Sequence, residues 1–151
     1  MVEERLAELG IELPPSVAPI ASYVPVRVSG DHAFVAGQVP IEDGVLLSAG
    51  KVGGDVSLDQ GRLAARRCAL QCLSALREVL GSLDDVHGIV KLDVFVASAP
   101  GFTEHAKVAD GASDLLVEIF GDEGRHARAT VGVAELPLGA SVEVAMVVRV
   151  A

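Results

Sequence analysis

The 151-residue sequence predicts an α+β architecture, a mixed sheet with two helices packed on one face. Three observations lead there. Several short stretches alternate apolar and polar residues with the period of a strand. Two longer stretches carry apolar residues at helical spacing. Their order is strand pair, long helix, strand, helix, strand pair, and a strand-helix-strand unit beside hairpins puts both helices on one side of the sheet. Half of the residues are hydrophobic and 22% charged, a balance that builds a core and not a disordered chain. The length suits one domain over residues 1–151, with no internal repeat or linker.

The elements follow in order. "VEERLAELG" predicts a short helix ending at Gly10, and "LPPS" breaks the chain into extended structure. "SYVPVRVSGDHAFVAGQVP" predicts two strands around a Ser-Gly-Asp turn. Val24, Val26 and Val28 share one face of the first, which leaves Tyr23, Pro25 and Arg27 on the other. The glycine-rich "DGVLLSAGKVGGDV" lacks the ending of a phosphate loop and carries no nucleotide signature. At "SLDQ", Ser57 and Gln60 form a capping box that opens a helix running to about Leu80, before Gly81. Its apolar stripe is Ala65, Ala69, Cys72, Leu73, Leu76 and Leu80, with Arg62, Arg66, Arg67 and Arg77 mostly on the solvated face.

"HGIVKLDVFVAS" predicts a strand with Val90, Leu92, Val94 and Val96 on one face. "FTEHAKVADGASDLLVEIFG" predicts a second helix with Val108, Ala112, Leu115, Leu116 and Ile119 inward, ended by Gly121. The chain closes with two valine-rich strands joined by "ELPLGA", which predicts a hairpin turning at Pro137 and Gly139. The last strand is apolar on both sides, with Ala145 and Val147 opposite Val142, Val144 and Met146. Helices of the same chain cover one side only, so the second apolar face predicts another subunit against it.

Several function classes fall away on composition. A net charge of -9 with one Tyr, four Phe and no Trp suits neither phosphate neutralisation nor base stacking, so no nucleic-acid partner is expected. The acidic N-terminus is no signal peptide and no apolar run approaches membrane-spanning length, which predicts a soluble cytoplasmic protein. Cys68 and Cys72 have the spacing of one helix face and the four histidines are scattered, so neither metal nor cofactor is expected.

The closing hairpin holds the candidate site. Pairing 132 with 143 puts Arg128, Thr130 and Glu143 on one face, opposite Val131, Val133, Val142 and Val144, with Arg128 and Glu143 on the order of 13 Å apart. An arginine there, with no adjacent carboxylate along the strands, either pairs across the subunit contact or takes a carboxylate ligand. His126 falls on the side of Arg128 by parity without an evident role.

"HARATVGVAELPLGASVEV" resembles the C-terminal signature of the RidA/YjgF family, also called the L-PSP endoribonuclease family. "YVPVRVSGDHAFVAGQVP" resembles its N-terminal segment, and "GKVGGDVSLDQGRLAARRCALQCLSAL", "VFVASAPGFTEHAKVADGASDLL" and "FGDEGRHAR" resemble a longer branch of about 150 residues. The resemblance implies a chorismate-mutase-like fold, a homotrimer and a pocket at each subunit interface. It implies hydrolysis of a small carboxylate-bearing imine or enamine to a keto acid and ammonia. Arg128 stands where deaminating members bind the substrate carboxylate, Glu143 where a glutamate orients the water, and Tyr23 where the family has its tyrosine. Ala36 and Gly37 occupy the small-Gly-Gln strand end that joins the substrate site. Ala36 replaces the usual Ser or Thr, Thr130 a frequent cysteine, and Gly132 a larger residue, so the pocket is expected wider and altered in polarity. A non-catalytic trimer that binds a small carboxylate is the alternative. The ribonuclease of the family's other name fits worst with the charge and with the lack of a paired histidine acid and base.

Overall fold

The computed structural model describes residues 1–19 and 21–151. Helix α1 spans Val2–Glu8. Strands β1 (Val26–Ser29) and β2 (His32–Gln38) form a hairpin, followed by the small hairpin β3 (Ile41–Glu42) and β4 (Val45–Leu46). Helix α2 (Leu58–Leu80), strand β5 (Gly88–Ala97), helix α3 (His105–Phe120) and strands β6 (Ala127–Val133) and β7 (Val142–Arg149) complete the order.

The five main strands form one mixed sheet in the order β1-β2-β7-β5-β6, and α2 and α3 pack on the same side of it. α2 begins as the capping box requires. Gln60 N donates to Ser57 Oγ at 3.1 Å, and Ser57 N donates to Gln60 Oε1 at 2.9 Å. It ends at Gly81, whose φ of 89° is open to glycine at no steric cost. Its buried stripe includes Ala65, Cys68, Ala69, Cys72, Leu73 and Leu76. The two cysteines lie in the core beneath β7, and burial pushes both thiols up, which leaves them inert at neutral pH. Arg77, partly exposed, reaches Glu3 of α1, with Nε to Oε1 at 3.1 Å, and thereby ties α1 to α2.

The sheet differs from the expected one in a way that matters for the site. β6 and β7 are not paired. β6 runs parallel to β5, β7 runs antiparallel to β5, and β5 lies between them. A strand that follows a helical crossover returns parallel to the strand before it, so α3 commits β6 to β5, and residues 134–141 cross over β5 to reach β7. A bulge in β5 and the edge position of β1 alter the expected faces as well. Val90 is the extra residue between Ile89 and Lys91 on β5, so Ile89 is buried and Val90 exposed. In β1 only Val26 is buried, because Val24 precedes the strand and Val28 lies at the open sheet edge.

The sheet face away from the helices carries Phe34, Ala145, Val147, Phe95 and Val131. Phe34 and Val131 are each 48% exposed, an apolar surface uncovered in the single chain. Among the described residues no helix is long and apolar enough to cross a membrane.

Candidate functional site

The strand register decides which candidate residues can meet. Leu92 of β5 is flanked by Arg128 on one side and Met146 on the other, and Leu92 and Met146 are buried toward the helices. Phe95 is flanked by Val131 and Glu143. Positions 92 and 95 point to opposite faces, so Arg128 and Thr130 face α3 while Glu143 faces away from it. The shared face expected of Arg128, Thr130 and Glu143 is therefore absent within one chain. Threading β5 between the two strands turns β6 over relative to a hairpin.

On the open face, Glu143 stands at the base of a cavity of about 320 Å³. Tyr23, Gly37 and Gln38 also line it, with apolar walls from Val17, Ala18, Pro19, Ala21 and Leu138. A bulge in β2 sets Ala36 and Gly37 together opposite Ala145, between the pairs Val35–Met146 and Gln38–Val144. That bulge brings the bare Cα of Gly37 over Glu143: a Cβ there would lie 2.8 Å from the Glu143 Cδ. Burial pushes the Glu143 carboxyl above its ordinary range, with no cation or hydrogen-bond donor among the described residues to offset it. Tyr23, Gly37 and Glu143 thus line one cavity, the three positions that the family resemblance implied for the site. Ala36 is part of the same bulge and supplies no hydroxyl.

On the helix face, the Arg128 Nη1 donates to Asp110 Oδ1 at 2.8 Å and to Ser113 Oγ at 3.0 Å, both on α3. The neighbouring carboxylate that was not expected comes from the helix, which inspection of the strands alone passes over. His126 joins the cluster as parity required. Its Nδ1 donates to the Gly124 carbonyl at 2.6 Å, which leaves Nε2 to accept from the Ser113 hydroxyl at 2.9 Å. The Thr130 Oγ1 is buried on this side without a hydrogen-bond partner among the described residues. Gly132, two residues on, lies against His105, whose Nε2 would be 2.6 Å from a Cβ there. Among the described residues no three His, Cys, Asp or Glu side chains gather to hold a metal ion.

The candidate residues thus fall in two separate places, one on each face of the sheet. One presents a general acid or base with a raised pKa in a small cavity; the other presents a guanidinium held by an acid and a serine at the sheet edge.

Residues 3–149 match the family described as "YjgF/chorismate_mutase-like, putative endoribonuclease". Protein TCP17 of Trypanosoma cruzi is 49% identical over 144 residues, covering 95% of this chain and 90% of that protein. The crystal structure of Atu1372 from Agrobacterium tumefaciens, a protein of unknown function, is 42% identical. It superposes with a TM-score of 0.91 over 99% of this chain and 92% of its own. A Shewanella oneidensis structure, described like the family as an endoribonuclease of putative standing, is 34% identical with a TM-score of 0.94 over 99% of both chains.

Proposed function

The chain belongs to the YjgF/chorismate-mutase-like family, and on that premise we propose that it hydrolyses 2-imino acids or their enamine tautomers to 2-oxo acids and ammonia. The observation that carries this reading is Glu143, a half-buried carboxyl with a raised pKa, facing a cavity of metabolite size beside Tyr23 and beneath Gly37. A volume of about 320 Å³ lies at the small end of the range of ~300–1,000 Å³ typical of ligand sites.

The chemistry asks little of the protein. As carboxylate, Glu143 takes a proton from a water whose oxygen attacks the imine carbon, giving a tetrahedral carbinolamine. With the imine protonated at the outset, Glu143 returns the water's proton to the carbinolamine nitrogen; as the carboxylate so regenerated takes the hydroxyl proton, the carbonyl forms, the C–N bond breaks and ammonia leaves. A pKa raised by burial suits a group that must both accept and release the proton. Tyr23 lines the same cavity and is available to orient water or substrate.

The substrate carboxylate needs a cation, and Arg128 is the proposed one. Within a chain it lies across the sheet from Glu143, so the proposal includes a homotrimer in which one copy's Arg128 and Thr130 meet a neighbour's Tyr23, Ala36, Gly37 and Glu143. The uncovered apolar face with Phe34 and Val131 supports such an assembly. A soluble, cytoplasmic setting belongs to the same proposal. A second reading, a trimer that captures a small carboxylate without turnover, draws support from the Arg128–Asp110 pair, which already engages the guanidinium. The net charge of -9 weighs against RNA cleavage.

The test generates an imine in situ with an amino-acid oxidase and follows its loss. The protein should accelerate that loss, and Glu143→Gln should remove the acceleration. Equal rates with and without the protein, alongside protection from thermal unfolding by a 2-oxo acid, would favour the binding trimer instead.

A further inference from the structure

The cavity above Glu143 has walls whose chemistry restricts what can enter. We infer that its substrates carry a bulky apolar side chain, branched-aliphatic or aromatic, and that acidic side chains are turned away. This inference rests on the deaminase reading and extends it to substrate class.

Three segments build the wall: Val17 and Pro19 from the N-terminal stretch, Val39 and Ile41 after β2, and Leu138 from the loop before β7. The N-terminal stretch is strapped to α2, since the Ser74 hydroxyl donates to the Pro14 carbonyl at 2.5 Å and Ser16 bonds Glu78. These bonds tie residues 14 and 16 to α2 next to Val17 of the wall. Of the polar side chains in the wall, Gln71 is engaged on both of its amide atoms. Gln71 accepts from the Ile41 amide at 2.7 Å and donates to the Val39 carbonyl at 2.8 Å, so its amide supports the wall and does not meet a ligand. Among the described residues of the chain no Lys, Arg or His lines the cavity.

Within such walls an apolar side chain gains by leaving water, and each added methylene discriminates by roughly 10-fold or more. An acidic side chain would lose its hydration with no cation to receive it, beside the Glu143 carboxylate. The Arg128 of another copy is occupied by the α-carboxylate in this scheme. Selection therefore comes from attraction of one class and repulsion of the other.

The test compares imines made in situ from leucine and from glutamate by the matching oxidases. The inference expects kcat/KM at least about tenfold higher for the leucine-derived imine. Val17→Lys, at a partly exposed wall position where the fold tolerates a charge, should shift the ratio toward the glutamate-derived imine at unchanged thermal stability. Equal rates for both imines, or a ratio that Val17→Lys leaves unmoved, would overturn it. A parallel arm measures protection from thermal unfolding by 4-methyl-2-oxopentanoate and by 2-oxoglutarate. Stronger protection by the former upholds the side-chain preference even if no imine is hydrolysed, in which case only the deaminase reading fails. Equal or reversed protection overturns the preference.

Discussion

Gly37 and Glu143 are in contact across β2 and β7, so closely that a Cβ on Gly37 would stand 2.8 Å from the Cδ of Glu143 and 3.1 Å from its Oε1. The φ of Gly37 is not in the left-handed region, so its backbone suits any residue. What glycine provides there is room. Gly37→Ala must push the carboxyl away from its place, and displacements of about 1 Å can cost on the order of 100-fold in rate. Imine hydrolysis should therefore fall at least tenfold, while stability changes by only about 1–3 kcal/mol in denaturant unfolding. A variant that keeps wild-type kcat/KM would detach this contact from the chemistry.

Glu143 should also cost the fold stability. Its folded pKa is raised by burial, so the protonated form favours the folded state and the charged form disfavours it. The penalty is absent below the ordinary carboxyl value of 4.5 and complete above the raised folded value. Glu143→Gln should thus stabilise the protein at neutral pH while removing activity, and the gain should vanish in acid. Urea midpoints for both proteins across the acid-to-neutral range check this.

The opposite sign holds for Glu3. The Arg77 guanidinium beside it holds its carboxyl below the ordinary 4.5, and the Leu83 amide adds a hydrogen bond at 2.9 Å. Its contribution is present in full above 4.5 and fades as pH drops through the folded value. Glu3→Gln should lower stability at neutral pH and make no difference in strong acid. Because the pair is partly exposed, added salt should shrink the effect.

Gly111→Ala tests the helix packing. In an isolated helix this change stabilises by about 1 kcal/mol. Here the new Cβ would stand 2.0 Å from the Arg62 carbonyl on α2, so the helices must separate. A loss of about 1–3 kcal/mol or more is expected in chemical denaturation, a reversal of the intrinsic sign.

Local elements were legible in the sequence because local chemistry specifies them. Ser57, Gln60 and Gly81 bound α2, and alternation marked β5 and β7. The partner of β6 was not legible in this way. Pro137 and Gly139 make a plausible turn between two valine strands, yet β5 is inserted between them from earlier in the chain. That insertion separates Arg128 from Glu143 and gives Arg128 an acid, Asp110, that lies eighteen residues away on a helix. The bulges at Ala36–Gly37 and Val90 were hidden for a similar reason, since a bulge is a property of two strands together. Alternation in the first strand placed Tyr23 off the core face, but its meeting with Gly37 and Glu143 depends on the bulge in β2 and was implied only by the family resemblance.

The central claim is that a complete site takes Glu143 from one copy and Arg128 from another. Co-expression of Arg128→Ala and Glu143→Gln chains tests it most directly. Each variant alone should be inactive toward imines. Mixed assemblies should regain about a quarter of the wild-type rate, because random neighbours restore one interface in four. Mixed assemblies as inactive as their parents, with subunit mixing verified by mass, would contradict the shared site.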